Sequence, residues 1–354
     1  MRIALVAPPW IAVPPAGYGG IEWVVHLLAE ELVATGHDVT LYATGDSVTT
    51  AELVSFLPHA APEHMHNSGI DAEHVGQAFK DIAARAAAGA GHDVVHDHTA
   101  WLGTAFAHTL PMPVVFTHHN PLTADRRRIY GAFFDDVEHV CLSLHQRSTW
   151  PRLAQSPVVP NAIAARVDDA SAVKGEFLLS VSRIHPDKGN HLAIEAAKRT
   201  GRDVVLIGKI DPGEGEEYFA AEVAPHLSGS SVQYLGEVSD GIKRDLMLRA
   251  RATLFPIRWD EPFGLVMAES MAAGTPCIAF SRGAAPEVIV DGVTGFLVAD
   301  IDGMVAAIDR VGEISAAACR QHVETHFSPA VMTGRYLTVY QSLLDNPRRN
   351  PQYR

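Results

Sequence analysis

The chain has few cysteines and no long apolar run, and each shortage excludes a class of protein. Only three of its 354 residues are cysteines, and Cys141, Cys277 and Cys319 lie far apart. This spacing fits neither a disulfide framework nor a metal-binding cysteine motif, so we expect reduced thiols in a cytoplasmic protein. No apolar run reaches the roughly 18–20 residues that span a membrane. The apolar start ends at Pro8-Pro9, too soon for a secretory signal, and predicts a buried strand.

Positive charge is also scarce. Lysine and arginine number 28 against 41 acidic residues, which gives a net charge of −13. General nucleic-acid binding needs a basic face and is not expected. An acidic surface still permits a local basic pocket for an anionic ligand. The run Arg126-Arg127-Arg128 indicates a solvated helix face, with contact to an anionic acceptor or a membrane surface as the alternative.

Short apolar runs alternate with helical stretches along the whole chain. This alternation predicts an α/β fold of βαβ units with parallel sheets, and the length favours two domains. In the first half the predicted strands are Arg2–Ala7, Asp38–Ala43, Val94–His96, Val114–Thr117 and Val137–Leu142. In the second half they are Phe177–Ser182, Val204–Ile207, Val232–Leu235, Ala252–Ile257, Pro276–Phe280 and Gly295–Val298.

The segment Ala162–Gly175 lacks apolar periodicity and is the predicted linker. The expected domains are therefore 1–165 and 172–327, and 328–354 contains an amphipathic terminal helix. The segment Thr49–Gly69 shows no clear period and is predicted to be irregular. Among the helix caps, Asn190 and Ser239 are expected to begin the helices that follow them.

Two glutamates lie eight residues apart, Glu261 and Glu269, between two predicted strands. The pattern predicts a strand, a loop with the first carboxylate and a helix with the second. Ligands of open α/β sheets bind at the carboxyl ends of the strands. Free N–H groups of Gly264 and Leu265 at the helix start suit a phosphate. The segment thus fits a nucleotide sugar, although spacing alone also allows two ordinary surface glutamates.

Two further loops follow the first strand of each half. Arg183 and Lys188 flank the end of the strand Phe177–Ser182, where a fork-shaped and a point cation suit a diphosphate. In the first half, Gly19 and Gly20 end a long loop before a helix, where backbone can approach an anionic ligand closely. The alternative interpretations are solvated loop charges and a simple tight turn.

Histidines cluster at two strand ends of the first half, in His96-Asp97-His98 and in His118-His119. No carboxylate or cysteine completes a convincing metal set, so a polar lining of a sugar pocket is preferred. A structural role for any one histidine stays open. The only Asp-x-Asp, Asp300 and Asp302, is interpreted as a helix cap rather than a metal site.

These motifs together resemble the large retaining glycosyltransferase family 4, whose GT-B fold has two Rossmann-like domains with parallel sheets facing across a cleft. The resemblance covers nearly the whole chain. Its most specific parts are the Glu261–Glu269 segment, Arg183 with Lys188, and the Gly19-Gly20 loop. The stretch from Tyr18 to Val25 is similar to actinobacterial sugar transferases of natural-product pathways, such as the avilamycin group.

The resemblance implies a role for each matching position. Gly19, Gly20 and the backbone of Phe263, Gly264 and Leu265 would lie by the donor phosphates, and Arg183 and Lys188 would neutralise the diphosphate. Glu261 and His119 would contact the transferred sugar, Glu269 would bind the ribose, and the backbone near Val238 would line the base pocket. Tyr18, Trp101 and His98 are the acceptor-site candidates. The family's Gly-Gly before Pro-Glu is replaced here by Gly283-Ala284-Ala285.

The expected activity is retaining sugar transfer from a nucleotide diphosphate donor, UDP-linked by likeness or else GDP-linked, to an acceptor hydroxyl. The acceptor would be a small molecule, a glycan or a lipid-linked sugar, and peripheral membrane contact is possible. No metal or other cofactor is expected, because the cations substitute for one. Two alternatives stay open, a nucleotide-sugar 2-epimerase of the same fold and a binding protein without turnover.

Overall fold

The structure is a computed structural model. It describes residues 1–17, 19–65, 67–164 and 173–346, so the acceptor candidate Tyr18 lies outside the described residues. The chain forms two compact units. The first consists of Met1–Ala162 and the segment that begins at Pro329, and the second is Ile163–Ser328.

The first unit contains a six-stranded parallel sheet. Its strands are β1 (Arg2–Val6), β2 (Asp38–Tyr42), β3 (Glu52–Val54), β4 (Val94–Asp97), β5 (Val114–Thr117) and β6 (Glu138–Val140). Its helices are α1 (Gly20–Ala34), α2 (Ser68–Ala87), α3 (Trp101–Phe106), α4 (Ala124–Ala132) and α5 (Leu144–Ser148). The strand order is β3-β2-β1-β4-β5-β6.

The second unit repeats this plan. Its strands are β7 (Leu178–Val181), β8 (Val204–Ile207), β9 (Val232–Tyr234), β10 (Ala252–Phe255), β11 (Cys277–Phe280) and β12 (Gly295–Val298). Its helices are α6 (Asn190–Arg199), α7 (Glu214–Tyr218), α8 (Asp240–Arg249), α9 (Leu265–Ala272), α10 (Ala285–Val288), α11 (Ile301–Arg310) and α12 (Ala316–Phe327). The order is β12-β11-β10-β7-β8-β9, again fully parallel.

Both sheets therefore share the strand order of dinucleotide-binding folds, in which the first and fourth strands of the unit are neighbours. The order reverses between β1 and β4 in one unit and between β7 and β10 in the other. Ligands of such sheets bind in the crevice at this switch point, outside the carboxyl ends of the strands. The loops after these four strands are the first place to look for a site.

The strands are short apolar runs because both faces of each sheet are covered by helices. Residues Ile3–Val6 of β1 and Leu178–Leu179 of β7 are fully buried. The final helix, α13 (Pro329–Asp345), packs against α1, and its Tyr336 and Tyr340 are completely buried. Within the described ranges, every helix is too short or too polar to cross a bilayer.

Most predicted elements are present, with two corrections. Glu52–Val54 forms the edge strand β3 in a segment predicted to be irregular, because it pairs in parallel with the buried strand β2. Asn190 is not the cap of α6. Gly189 holds that position in the left-handed conformation, while the Asn190 amide donates to Ser182 Oγ at 3.0 Å. Ser239 caps α8 as predicted, with Ile242 N as donor.

Candidate functional site

The switch point of the second unit holds a largely buried ion pair. Lys188, before α6, places Nζ 2.9 Å from Oε2 of Glu261, which follows β10. Their side chains are only 12% and 18% exposed. The same ammonium lies 4.5 Å from the ring centroid of Trp259, a cation–π contact. The two predicted residues are thus direct neighbours, and Trp259 is a contact that the sequence analysis missed.

Backbone contacts hold the two loops together. Arg258 N donates to Asp187 O at 2.8 Å. Gly189 has φ 68°, and a Cβ atom there would lie 2.2 Å from the carbonyl oxygen of Pro256. Only glycine permits both the left-handed conformation and this approach. The start of α6 is therefore fixed against the end of β10, which fixes Lys188 beside Glu261.

A third loop supports Glu261 from the side of β11. Gly283 has φ 57°, and a Cβ there would lie 2.5 Å from Glu261 N. Ala284 N donates to Glu261 O at 3.0 Å. The segment that departs from the family's Gly-Gly therefore still packs on the backbone of Glu261. In addition, Arg282 Nε donates to Asp260 at 3.0 Å.

Helix α9 begins next to this pair. Gly264 is its N-cap with φ 85°, and Phe263 before it is buried with its ring in edge contact with Phe327. The first N–H groups of a helix have no carbonyl partner within the helix and carry partial positive charge. The backbone from Phe263 to Leu265 thus offers donors where a phosphate group was predicted.

Glu269, about one turn into α9, is paired with a lysine of its own. Lys243 Nζ of α8 lies 2.8 Å from Glu269 Oε1 and 3.2 Å from Asp240. Burial opposes the charge of Lys243, but Glu269 and Asp240 outweigh it and raise the pKa of the ammonium. Val238, a candidate for the base pocket, is partly buried against the small core cluster that includes Val181 and Met247.

Arg183 is engaged by a carboxylate. Its guanidinium forms an ion pair with Asp211, which follows β8, and its side chain remains 35% exposed. The sequence analysis did not single out Asp211, although its position after a neighbouring strand was a usable signal. Any anionic ligand at Arg183 would share the guanidinium with this carboxylate.

In the first unit the glycine loop encloses a buried acid. Gly19 has φ 154°, and a Cβ there would lie 2.7 Å from Pro15 Cβ. Gly20 is the first residue of α1, and Glu22 in the first helical turn is 5% exposed. Burial raises the pKa of Glu22 to about 7. The loop therefore meets the helix N-terminus as predicted, together with a carboxyl group that the sequence analysis did not include.

The strand-end histidines of β4 and β5 are in contact. His98 Nδ1 lies 2.9 Å from His119 Nε2. His98 is fully buried, so in this structure it has no surface for an acceptor, whereas His119 is half-buried. The other acceptor candidate, Trp101, is the first residue of α3 and is 38% exposed.

Two of the three arginines of α4 bind backbone. Arg126 donates to Pro121 O at 3.1 Å and Arg127 donates to Leu122 O at 2.6 Å. Both carbonyls belong to the loop that follows His119. These side chains therefore stabilise that loop and do not form a simple solvated face. In the described part of the chain, no group of three or more His, Cys, Asp or Glu residues is arranged to hold a metal ion.

Two family models match the chain in succession. A model for glycosyltransferase family 4 matches residues 18–153, and one for group 1 glycosyl transferases matches residues 164–321. A glycogen synthase of Mycobacterium tuberculosis is 29% identical over 91% of this chain and 88% of that protein.

Solved structures show the same fold. AviGT4, a glycosyltransferase involved in avilamycin A biosynthesis, is 26% identical with a TM-score of 0.73, and the match covers 98% of each chain. Anabaena Alr3699/HepE, solved with UDP, is 18% identical with a TM-score of 0.72 over 97% of this chain and 100% of that chain.

The two parallel sheets and these matches define an enzyme, a glycosyltransferase of the GT-B fold. Within that class the chain belongs to glycosyltransferase family 4. The predicted resemblance, including the likeness to the avilamycin transferases, is confirmed.

Proposed function

We propose that this enzyme transfers a sugar from a nucleotide diphosphate donor to an acceptor hydroxyl, with retention at the anomeric carbon and without a metal ion. The observation that carries the proposal is the Lys188–Glu261 pair at the switch point beside the N-terminus of α9. The lysine and the helix N–H groups suit a diphosphate, and Glu261 suits the sugar attached to it.

In the proposed step the bond from the anomeric carbon to the leaving phosphate oxygen breaks. The acceptor oxygen bonds to the same face, and its proton moves to the leaving phosphate. Negative charge grows on the diphosphate, where Lys188, Arg183 and the start of α9 would stabilise it. Glu261 positions the sugar, and Glu269 binds the ribose with Lys243 as its support. Gly19, Gly20 and His119 of the first unit contribute to phosphate and sugar binding.

The donor base is proposed to be uridine. UDP in the structure of Alr3699/HepE supports this choice, and the donor is proposed to occupy the second unit with its base near Val238. The acceptor, proposed to bind the first unit with Trp101 and Tyr18 nearby, is a glycan, a small molecule or a lipid-linked sugar. The glycan class is supported by the glycogen synthase relative. The free, buried cysteines of the described residues are consistent with a proposed cytoplasmic location.

The stereochemical and metal parts of the proposal are tested together. The protein is incubated with an α-configured UDP-sugar in EDTA, and proton NMR follows the anomeric signal of the first-formed sugar, whether transferred or released to water. We expect an α product, formed at the same rate with EDTA or with added Mg²⁺. A β product would contradict retention, and loss of turnover in EDTA would contradict metal independence.

A further inference from the structure

The sequence analysis placed His98 at the acceptor, but its contacts indicate another role. The ring is completely buried, and its Nδ1 lies 2.9 Å from Nε2 of the half-buried His119. Its other nitrogen, Nε2, is buried without a hydrogen-bond partner among the described residues. One nitrogen of the contact must donate and the other must accept, so the protonated positions of the two rings are linked.

A second histidine pair in the same sheet shows how this unit arranges such rings. His139 Nε2 lies 3.0 Å from the carbonyl oxygen of Phe134, to which it can only donate. His139 Nδ1 is then an acceptor, so His118 Nε2, 2.9 Å away, must donate to it. The remaining nitrogen of His118, Nδ1, is buried without a partner in the described structure and is therefore a lone pair.

His74 shows the same arrangement, in which the buried nitrogen without a partner carries the lone pair. Its Nε2 donates to Ala7 O at 2.9 Å, and its buried Nδ1 has no partner in the described structure. In both cases the unpartnered nitrogen is the lone pair, as expected because an orphaned buried N–H is more costly than an under-satisfied acceptor. Burial lowers the pKa of His98 well below 6.5 and that of His119 to about 3, so both rings are neutral at pH 7.

By the same argument, the buried Nε2 of His98 carries the lone pair and Nδ1 carries the hydrogen. We propose that His98 is a positioning residue that donates Nδ1–H to His119 Nε2 and thereby holds His119 as the Nδ1–H tautomer. His119 then meets a ligand oxygen as a hydrogen-bond donor and not as a base. This inference rests on the proposed function for its effect on the reaction, but its tautomer assignment is independent of it.

The rings around His98 keep it in place. The His96 ring centroid lies 3.9 Å from that of His98, and His96 is itself bonded to Tyr340 Oη at 2.7 Å and Thr117 Oγ1 at 2.8 Å. Thr117 Oγ1 also contacts Tyr336 Oη at 3.0 Å. Helix α13 thus supplies two buried hydroxyls behind the histidine pair, which limits rotation of the His98 ring.

The test uses two variants of nearly equal shape. His98→Asn places an amide N–H where Nδ1 stood, and His98→Leu places a methyl group there. The intact protein is labelled with ¹⁵N-histidine, and long-range ¹H–¹⁵N correlation reads the tautomer of His119, identified by its loss in His119→Asn. Turnover of the best donor and the melting temperature are measured for each variant.

We expect the Nδ1–H tautomer of His119 in the wild type and in His98→Asn, and a shift toward Nε2–H in His98→Leu. We expect kcat to fall about tenfold in His98→Leu and to recover to within about threefold in His98→Asn, with the KM for donor little changed. An Nε2–H tautomer of His119 in the wild type overturns the assignment. A shifted tautomer with unchanged kcat overturns its role in the reaction. If no sugar nucleotide is turned over, the proposed function fails while the tautomer spectra still decide the role of His98.

Discussion

At the scale of single residues, the candidate site of the second unit contains an ion pair in which each charge compensates the other. Lys188 and Glu261 are both less than one-fifth exposed, and burying either charge alone would be costly. Their attraction and the contact of Lys188 with Trp259 fix the position of the ammonium group. A bound diphosphate would compete with Glu261 for this ammonium, which would free the carboxylate for a sugar hydroxyl.

The two glutamates of the Glu261–Glu269 segment do not form an acid–base pair. Each has its own lysine, Lys188 for Glu261 and Lys243 for Glu269, at 2.9 and 2.8 Å. A glycosidase would need two carboxyl groups flanking one bond. The separate ion pairs instead fit two ends of one elongated donor.

At the scale of elements, α6 depends on the glycine that begins it. Gly189 and Gly201 lie at opposite ends of this helix with nearly the same backbone angle, φ 68° and 65°. A Cβ at Gly201 would meet nothing within 4 Å, whereas one at Gly189 would collide with the carbonyl of Pro256. An alanine at Gly201 therefore measures the conformational cost alone. An alanine at Gly189 adds the cost of moving the loops at the switch point.

Gly201→Ala should lower the free energy of unfolding by about 1–2 kcal/mol, the penalty of a left-handed alanine. Gly189→Ala should lower it by about a further 1–3 kcal/mol, since the backbone must move as in overpacked cores. Urea unfolding of both variants measures the difference, and the KM for donor should rise only in Gly189→Ala. Equal losses of stability would mean that the contact with Pro256 is not a constraint.

The elements themselves were largely predictable, and the exceptions have physical reasons. Buried parallel strands are short apolar runs, so β1, β5, β8 and β12 could be located from sequence to within a residue. The edge strand β3 could not, because three residues at a sheet edge carry little apolar signal. The prediction of Asn190 as the N-cap of α6 was wrong because Gly189, in the left-handed conformation, holds that position without a side-chain cap.

The residues of the candidate site could be selected from the sequence because they follow strand ends. The side-chain partner of each residue could not be predicted. Lys188, Glu261 and Glu269 could be selected because each lies in a loop or helix that follows a buried strand. Their partners Lys243 and Trp259 could not, since the first lies on another helix and the second was one aromatic in a loop. Pairing depends on side-chain directions that a sequence pattern does not contain.

At the scale of the whole molecule, the first unit buries neutral histidines and acids whose pKa is raised, and the two groups have opposite effects on stability as the pH changes. The histidines of this unit whose pKa is lowered most by burial are His74, His96, His98, His118, His119 and His139. Each stabilises the fold fully above its unfolded pKa near 6.5. This stability is lost as the pH falls, because the unfolded chain binds the proton first.

The buried acids have the opposite effect on the pH dependence of stability. Burial raises the pKa of Glu22 and Asp97 to about 7 and that of Asp71 to about 6. Their contribution is lost as the pH rises through these values. Six histidines outweigh three acids below pH 7, so the melting temperature should fall by several degrees between pH 7 and pH 5. Thermal melts at constant ionic strength measure this, and a rise over that interval would contradict the burial of neutral histidines.

The central claim, that the second unit binds a nucleotide diphosphate sugar at Lys188 and Glu261, is tested most directly by thermal shift. UDP-, GDP- and ADP-sugars are titrated against the wild type, Lys188→Ala and the matched control Lys198→Ala, whose exposed ammonium contacts only His226 among the described residues. A ligand that binds the folded state stabilises it in proportion to ln(1 + [L]/Kd). We predict a rise in melting temperature with a UDP-sugar for the wild type and the control, and its loss in Lys188→Ala. No shift with any sugar nucleotide, or an equal shift in Lys188→Ala, would contradict the claim.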